Sequence, residues 1–142
     1  MNEPNPGARL IRIERWDERA QSVVIDHIIG ADDLHTILTD AVDMLDGAHE
    51  GHPTVTLCRP DESTLSLSTD GRRCLMVWVN SFEESAHSVG AQPGPDLVFD
   101  CYGSYSEAPN EWTVPVALAL QCARRFIERG TPDTEEVLFE QD

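Results

Sequence analysis

The alternation of apolar and polar positions is clearest in the middle of the chain. Residues 65–68 read Leu-Ser-Leu-Ser, and the run 74–79 has no polar side chain. Alternate residues of a strand face opposite sides of a sheet, so the second run is apolar on both faces and predicts a central, covered strand. Asp70-Gly71 separates the two runs and favours the tight turn of a β-hairpin. The pattern therefore predicts a hairpin over 64–79, with Trp78 buried.

The same periodicities predict further elements along the chain. Strands are expected at 9–16, 22–28, 54–59, 96–102 and 135–140. One helix is expected over 30–47, and a second begins at Val114-Pro115 and ends at Gly130, because glycine commonly follows the last helical turn. The order β-β-α-β-β-β-β-α-β, with short connections, predicts the α+β class. We expect a largely antiparallel sheet of about six to seven strands with two helices packed on it.

Two stretches, 80–95 and 103–113, show neither the alternation of a strand nor the 3.6-residue period of a helix, and they are predicted to be irregular loops. Loops of this length in a compact domain are usually functional or disordered. They carry aromatic and acidic residues, and rigid aromatics flanked by acids suit the docking of a basic partner. The alternative for Tyr105 and Trp112 is packing beneath the loop. The predicted partner-binding residues are Glu83, Glu84, Tyr105, Glu107, Glu111 and Trp112.

The charge balance narrows the class of partner. The chain has 26 acidic and 10 basic residues and a net charge of −16. Every basic residue is Arg, and no Arg lies between residues 20 and 58 or between 80 and 123, where seven and six acidic residues occur. Acidity on its own also serves solubility or a salty habitat. The uneven arrangement instead favours a basic protein partner, with no nucleic acid and no membrane.

The length of 142 residues suits one domain. We expect a disordered lead-in over 1–8 and a single domain over 9–142. No run of about 18 apolar residues is present, which argues against a membrane span. The first residues lack the basic and apolar regions of a secretory signal, so we expect a cytoplasmic protein whose four cysteines are reduced.

Candidate chemistry is sparse. The segment 49–52 holds two histidines and a glutamate, but zinc needs further ligands, so a solvated linker is favoured. Cys101 and His87 lack the third, orienting group of a nucleophilic site. The chain has no phosphate-binding glycine loop and no nucleophile elbow. The sequence therefore predicts no catalytic residue, no metal site and no cofactor.

The C-terminal third of the chain resembles a known family. The motifs follow in the order Tyr105-Ser106-Glu107-Ala108-Pro109, Val114-Pro115, a helix with Phe126, Gly130-Thr131-Pro132, and a closing strand. In this order they resemble the first-numbered family of immunity proteins from bacterial polymorphic toxin systems, and the resemblance extends over about 9–139. Where that family often has Trp in the last strand, Phe139 stands here.

The resemblance implies a non-enzymatic protein that binds a toxin encoded beside it, often a nucleic-acid deaminase. A toxin that acts on DNA or RNA carries a basic substrate groove, which an acidic protein is suited to occupy. The expected function is therefore an immunity protein that neutralises a cognate deaminase or nuclease toxin by covering its basic substrate site. The alternative is a small cytosolic α+β enzyme or ligand-binding domain with its site in the 80–95 stretch.

Overall fold

The structure is a computed structural model that describes residues 11–17, 22–28, 54–69, 72–90, 92–101 and 104–142. Four predicted features lie outside the described residues: the lead-in 1–8, the first helix at 30–47, the linker at 49–52 and the Asp70-Gly71 turn.

The described part of the chain contains ten strands, one 3-10 helix and one α-helix. The 3-10 helix spans Asn110–Trp112, and the α-helix, α1, spans Val116–Arg129. The strands are β1 (Ile11–Asp17), β2 (Ser22–Ile28), β3 (Thr54–Cys58), β4 (Thr64–Thr69), β5 (Arg73–Val79), β6 (Ser85–Val89), β7 (Leu97–Cys101), β8 (Ser104–Ala108), β9 (Thr113–Pro115) and β10 (Leu138–Gln141).

Eight of these strands form one antiparallel sheet in the order β10-β6-β5-β4-β3-β1-β2, with β9 also paired to β5. Strands β7 and β8 form a separate antiparallel hairpin. The α+β class and the antiparallel sheet are confirmed, although the sheet has eight strands among the described residues rather than six or seven. No helix in this part of the chain is long and apolar enough to span a membrane.

The predicted hairpin of β4 and β5 is confirmed, with Thr64 opposite Val79 and Thr69 opposite Cys74. Both faces of β5 are covered. Met76 on one face is fully buried beneath α1, and Leu75 on the other packs against the β7–β8 hairpin. The molecule is thus layered, with α1 on one face of the sheet and the β7–β8 hairpin on the other.

The expectation that Trp78 is buried is only partly met, because this residue is half-buried. Its ring packs edge-on against Phe139, with ring centroids 6.2 Å apart. Phe139 belongs to β10, the last strand at that edge of the sheet, so Trp78 receives less cover than the central residues of β5.

The start of α1 differs from the prediction. Pro115 lies in β9 opposite Arg73, with φ −57° and ψ 144°, and the helix begins one residue later. A proline φ fits both the first helical turn and an extended strand, so the sequence could not separate these two possibilities. The predicted end is confirmed: Gly130 has φ 88°, and its N–H donates to the Phe126 carbonyl.

The prediction that 80–95 and 103–113 are irregular is wrong. The first stretch contains β6, which pairs with β5 and β10, and the second contains β8 and the 3-10 helix. Strand β6 reads Ser-Ala-His-Ser-Val, and its fully buried Ser88 is hydrogen-bonded to backbone groups of its neighbours. A strand with a satisfied polar residue at a core position lacks the apolar alternation on which sequence prediction depends.

Candidate functional site

The turn between β5 and β6 is organised by Asn80. Its side-chain oxygen accepts the N–H groups of Phe82 and Glu84, at 2.9 and 3.0 Å, in the manner of an Asx turn. Glu83 adopts a left-handed φ of 64° at the bend. Phe82 is therefore held at the tip with 82% of its surface exposed, beside the exposed Glu83 and Glu84.

Trp112 lies at the end of the 3-10 helix and stacks on His87 of β6. The two ring centroids are 3.9 Å apart, and the rings are inclined by 23°. His87 is buried, whereas Trp112 remains 37% exposed. One face of the indole is thus covered by the imidazole, and part of the ring remains available to solvent or to a partner.

Asp142 contacts the edge of the His87 ring. His87 Nδ1 lies 2.5 Å from Asp142 Oδ1, and the Ser85 hydroxyl donates to Asp142 Oδ2 at 2.5 Å. The Ser85 hydroxyl, followed by His87, lowers the pKa of the Asp142 carboxyl below its ordinary value. The carboxylate is therefore ionised at neutral pH and fixes the orientation of the imidazole beneath Trp112.

Ser88 and Gly90 fasten the 3-10 helix to the sheet. The Ser88 hydroxyl accepts the Met76 N–H at 3.0 Å and donates to the Trp112 carbonyl at 2.6 Å. The Gly90 N–H donates to the Glu111 carbonyl at 3.0 Å. A Cβ at position 90 would lie 2.8 Å from Val114 Cγ1, so this close approach of β6 and β9 requires glycine.

Strand β10 places further exposed residues beside this stack. Leu138 opposes Val89, and Glu140 opposes His87, so both point to the same side of the sheet as the imidazole. Leu138 is 69% exposed and Glu140 is also exposed. We call the surface formed by Trp112, His87, Leu138, Glu140 and Asp142 the β10 face.

Tyr105 and Glu107 lie on β8, in the separate hairpin layer. Ala108 of this strand is buried opposite Leu97, so the alternate positions 105 and 107 point outward. Tyr105 is 68% exposed, and its hydroxyl donates to Glu107 Oε1 at 2.7 Å.

All six predicted partner-binding residues are exposed, so neither Tyr105 nor Trp112 is packed beneath a loop. The structure places Trp112 on the β10 face, with the exposed Glu111 before it in the 3-10 helix. Glu83 and Glu84 lie at the turn that leads into β6, and Tyr105 and Glu107 lie on the β7–β8 hairpin. Sequence reasoning missed four residues of the surface. These are His87, Leu138, Glu140 and Asp142. The alternation of apolar and polar residues over 138–140 was a local signal for Leu138 and Glu140. His87 and Asp142 come together only through pairing between distant strands.

The described residues contain no group of three His, Cys, Asp or Glu side chains that could hold a metal ion. A shallow groove of about 380 Å³ lies between the start of β5 and β9. Arg73 lines it, and its guanidinium donates to the Pro95 and Asp96 carbonyls and to Asn110 Oδ1. These contacts hold the connection before β7 against the 3-10 helix.

The family model described as immunity protein Imm1 matches residues 37–137, more than two thirds of the chain. The chain belongs to the Imm1 family of immunity proteins. The expected resemblance is confirmed, and membership makes the chain an immunity protein that binds a cognate toxin and is not an enzyme. No curated protein and no solved structure matches the chain.

Proposed function

We propose that this Imm1 protein neutralises a toxin that acts on nucleic acid, a deaminase or a nuclease, by covering the toxin's basic substrate site. The observation that carries the proposal is the charge distribution. The chain has a net charge of −16 and no Arg or Lys between 74 and 123 or after 129. Those two segments contain the β5–β6 turn, β8, the 3-10 helix and β10, where the exposed acids and aromatics lie.

A toxin that acts on DNA or RNA must neutralise phosphates with Lys and Arg, so its substrate groove is basic. An acidic protein competes for that groove by charge complementarity and is itself repelled by the nucleic acid. If the toxin is a deaminase, covering its pocket also keeps the target base from being flipped into it.

The predicted partner-binding residues divide into two roles in this proposal. The four glutamates are exposed and set the rate of association and its salt dependence. Trp112 is partly covered by His87 and sets the rate of dissociation, as buried aromatics at interfaces commonly do. Tyr105 adds a second exposed aromatic. We propose a cytoplasmic location as well, which agrees with the free cysteines of the described residues.

The test uses the toxin domain encoded beside this gene. Protection of cells that express the toxin is measured together with association rates at low and high salt. Replacing Glu83, Glu84, Glu107 and Glu111 by Gln should slow association about tenfold or more at low salt, and this difference should shrink at high salt.

A matched control removes four exposed charges elsewhere: Glu62→Gln, Glu128→Gln, Asp133→Asn and Glu135→Gln. It loses the same net charge, so its smaller effect on association isolates the role of position from that of total charge. The proposal fails if the neighbouring toxin does not act on nucleic acid. The assignment of the acidic residues fails if the first variant binds and protects as the parent does at every salt concentration.

A further inference from the structure

We propose that the β10 face is the centre of the contact with the toxin and receives an arginine of a basic toxin segment on the exposed part of Trp112. This inference rests on the proposed function and adds the position of the contact and the chemistry of the group that it recognises.

The first argument is the exposure of apolar side chains on this face. Leu138, at 69% exposure, and Trp112, at 37%, lie on the same side of the β6–β10 pair, and Phe82 projects from the turn at the start of β6. Apolar side chains that are exposed together on a sheet, with polar neighbours around them, mark a protein-binding surface. On the β7–β8 hairpin, Tyr105 is the one large apolar side chain described as exposed.

The second argument is that Trp112 is held in place before any partner arrives. His87 stacks on one face of the indole, Asp142 fixes His87, and Ser88 bonds the Trp112 carbonyl. An aromatic anchor that is already ordered loses little conformational entropy on binding, so more of its contact energy remains as affinity.

The third argument, charge complementarity, identifies the occupant. Glu140 and Asp142 share the β10 face with Trp112, Glu111 precedes Trp112 in the chain, and all three acids are exposed. Trp112 itself is 37% exposed, and no Arg or Lys follows residue 129 in the chain. A guanidinium stacks on an indole and donates hydrogen bonds to adjacent carboxylates, and it is weakly hydrated compared with an ammonium. A nucleic-acid-binding toxin carries such arginines in its substrate groove.

The chain offers a closely matched control pair for the test. Leu138 and Glu140 on β10, and Tyr105 and Glu107 on β8, are each an exposed apolar residue and a glutamate two positions later on a strand. The exposures of Leu138 and Tyr105 are 69% and 68%. Replacing both members of a pair by Arg changes the net charge by three units in either case.

We expect Leu138→Arg/Glu140→Arg to weaken binding of the neighbouring toxin domain at least about 30-fold, at low and at high salt. Tyr105→Arg/Glu107→Arg, on the separate hairpin, should weaken binding less, through the lost Tyr105 contact and the lost long-range attraction of Glu107, and most of this loss should disappear at high salt. Urea unfolding of both variants checks that these exposed substitutions leave the fold intact. If the β8 pair weakens binding as much as the β10 pair, the position of the contact is wrong.

Amide hydrogen exchange of the unsubstituted complex provides a second readout. Binding should slow exchange in Asn110–Trp112 and Leu138–Gln141, and protection confined to β2 or β8 would overturn the inference. The two proposals fail differently. If the toxin affinity of the parent protein does not depend on salt, both the proposed function and the β10-face contact are wrong. If the parent binds in a salt-dependent way and Leu138→Arg/Glu140→Arg binds as tightly as the parent, only the β10-face contact is wrong.

Discussion

Ser88 connects the central strand to the 3-10 helix that carries Trp112, so its hydroxyl makes a testable contribution to stability. The residue is fully buried in β6. Its oxygen accepts the Met76 N–H at 3.0 Å and donates to the Trp112 carbonyl at 2.6 Å. The substitution Ser88→Ala removes only this oxygen, and the backbone of β6 can keep the same conformation.

The expected cost follows from the groups left without a partner. Each intramolecular hydrogen bond contributes about 0.5–1.5 kcal/mol, and a buried donor or acceptor left unsatisfied costs about 1–3 kcal/mol. The Met76 N–H lies between residues of the buried core, whereas the Trp112 carbonyl is closer to solvent and regains water more easily. We therefore expect Ser88→Ala to lower the free energy of unfolding by about 2–4 kcal/mol.

Urea unfolding measures this loss directly. With a dependence of about 2 kcal/mol per molar urea, the middle of the range for a small protein, the midpoint should fall by roughly 1–2 M. Ser104→Ala is the matched control, because Ser104 is an exposed residue in β8, and its change should stay within about 0.5 kcal/mol. The proposed contact also predicts weaker toxin binding by Ser88→Ala, since Trp112 loses one of the bonds that hold it.

The result that would refute this reasoning is a Ser88→Ala variant as stable as Ser104→Ala. It would mean that the two backbone groups find other partners after a small shift of the 3-10 helix. The central role given to Ser88 in fixing Trp112 would then be wrong, whatever the variant's affinity for the toxin.

Three further predictions concern the helix side of the sheet. Arg59 Nη1 donates to the Phe126 and Ile127 carbonyls, at 2.8 and 2.5 Å, near the end of α1. Arg59→Met should therefore lower the free energy of unfolding, measured in urea, by about 2–3 kcal/mol. A variant as stable as the parent would contradict the contact. Burial raises the pKa of the Cys122 thiol to about 11, so at pH 8 it should react with a disulfide reagent far more slowly than the half-exposed Cys101, and equal rates would contradict its burial. Because folded Cys122 keeps its proton where the unfolded thiol loses it, stability should also decrease as pH rises from about 9 towards 11.

Local pattern was sufficient for the elements that are apolar on a regular period. The β4–β5 hairpin, the two covered faces of β5 and the end of α1 at Gly130 were all predicted and are confirmed. The same holds for the side chains of β7, where Leu97, Phe99 and Cys101 share one packed face. In each case the residue types are enough to predict the element. Burying one face of a strand or helix requires apolar residues that repeat with the period of that strand or helix.

The order of the motifs was also sufficient for the family. The motifs from Tyr105 to Pro132 and the closing strand resemble the immunity proteins, and the Imm1 match over 37–137 confirms that membership. Membership does not identify the toxin, because the chemistry of the toxin is encoded in the partner and not in this chain. For the contact residues, the sequence could place aromatics and acids near one another along the chain but could not place them on a common surface.

The tertiary structure alone decided where the β10 face lies. Strand β6 has few apolar residues and depends on pairing with β5 and β10, and its buried serine is satisfied by backbone groups of other elements. His87 and Asp142 are 55 residues apart in sequence and meet only because β10 closes that edge of the sheet. Periodicity reports which face of an element is buried, and it contains no information about which distant strand lies beside it. The sequence by itself therefore determined the β4–β5 hairpin, the end of α1, the acidity and the family. Long-range strand pairing determined which residues stand together around Trp112.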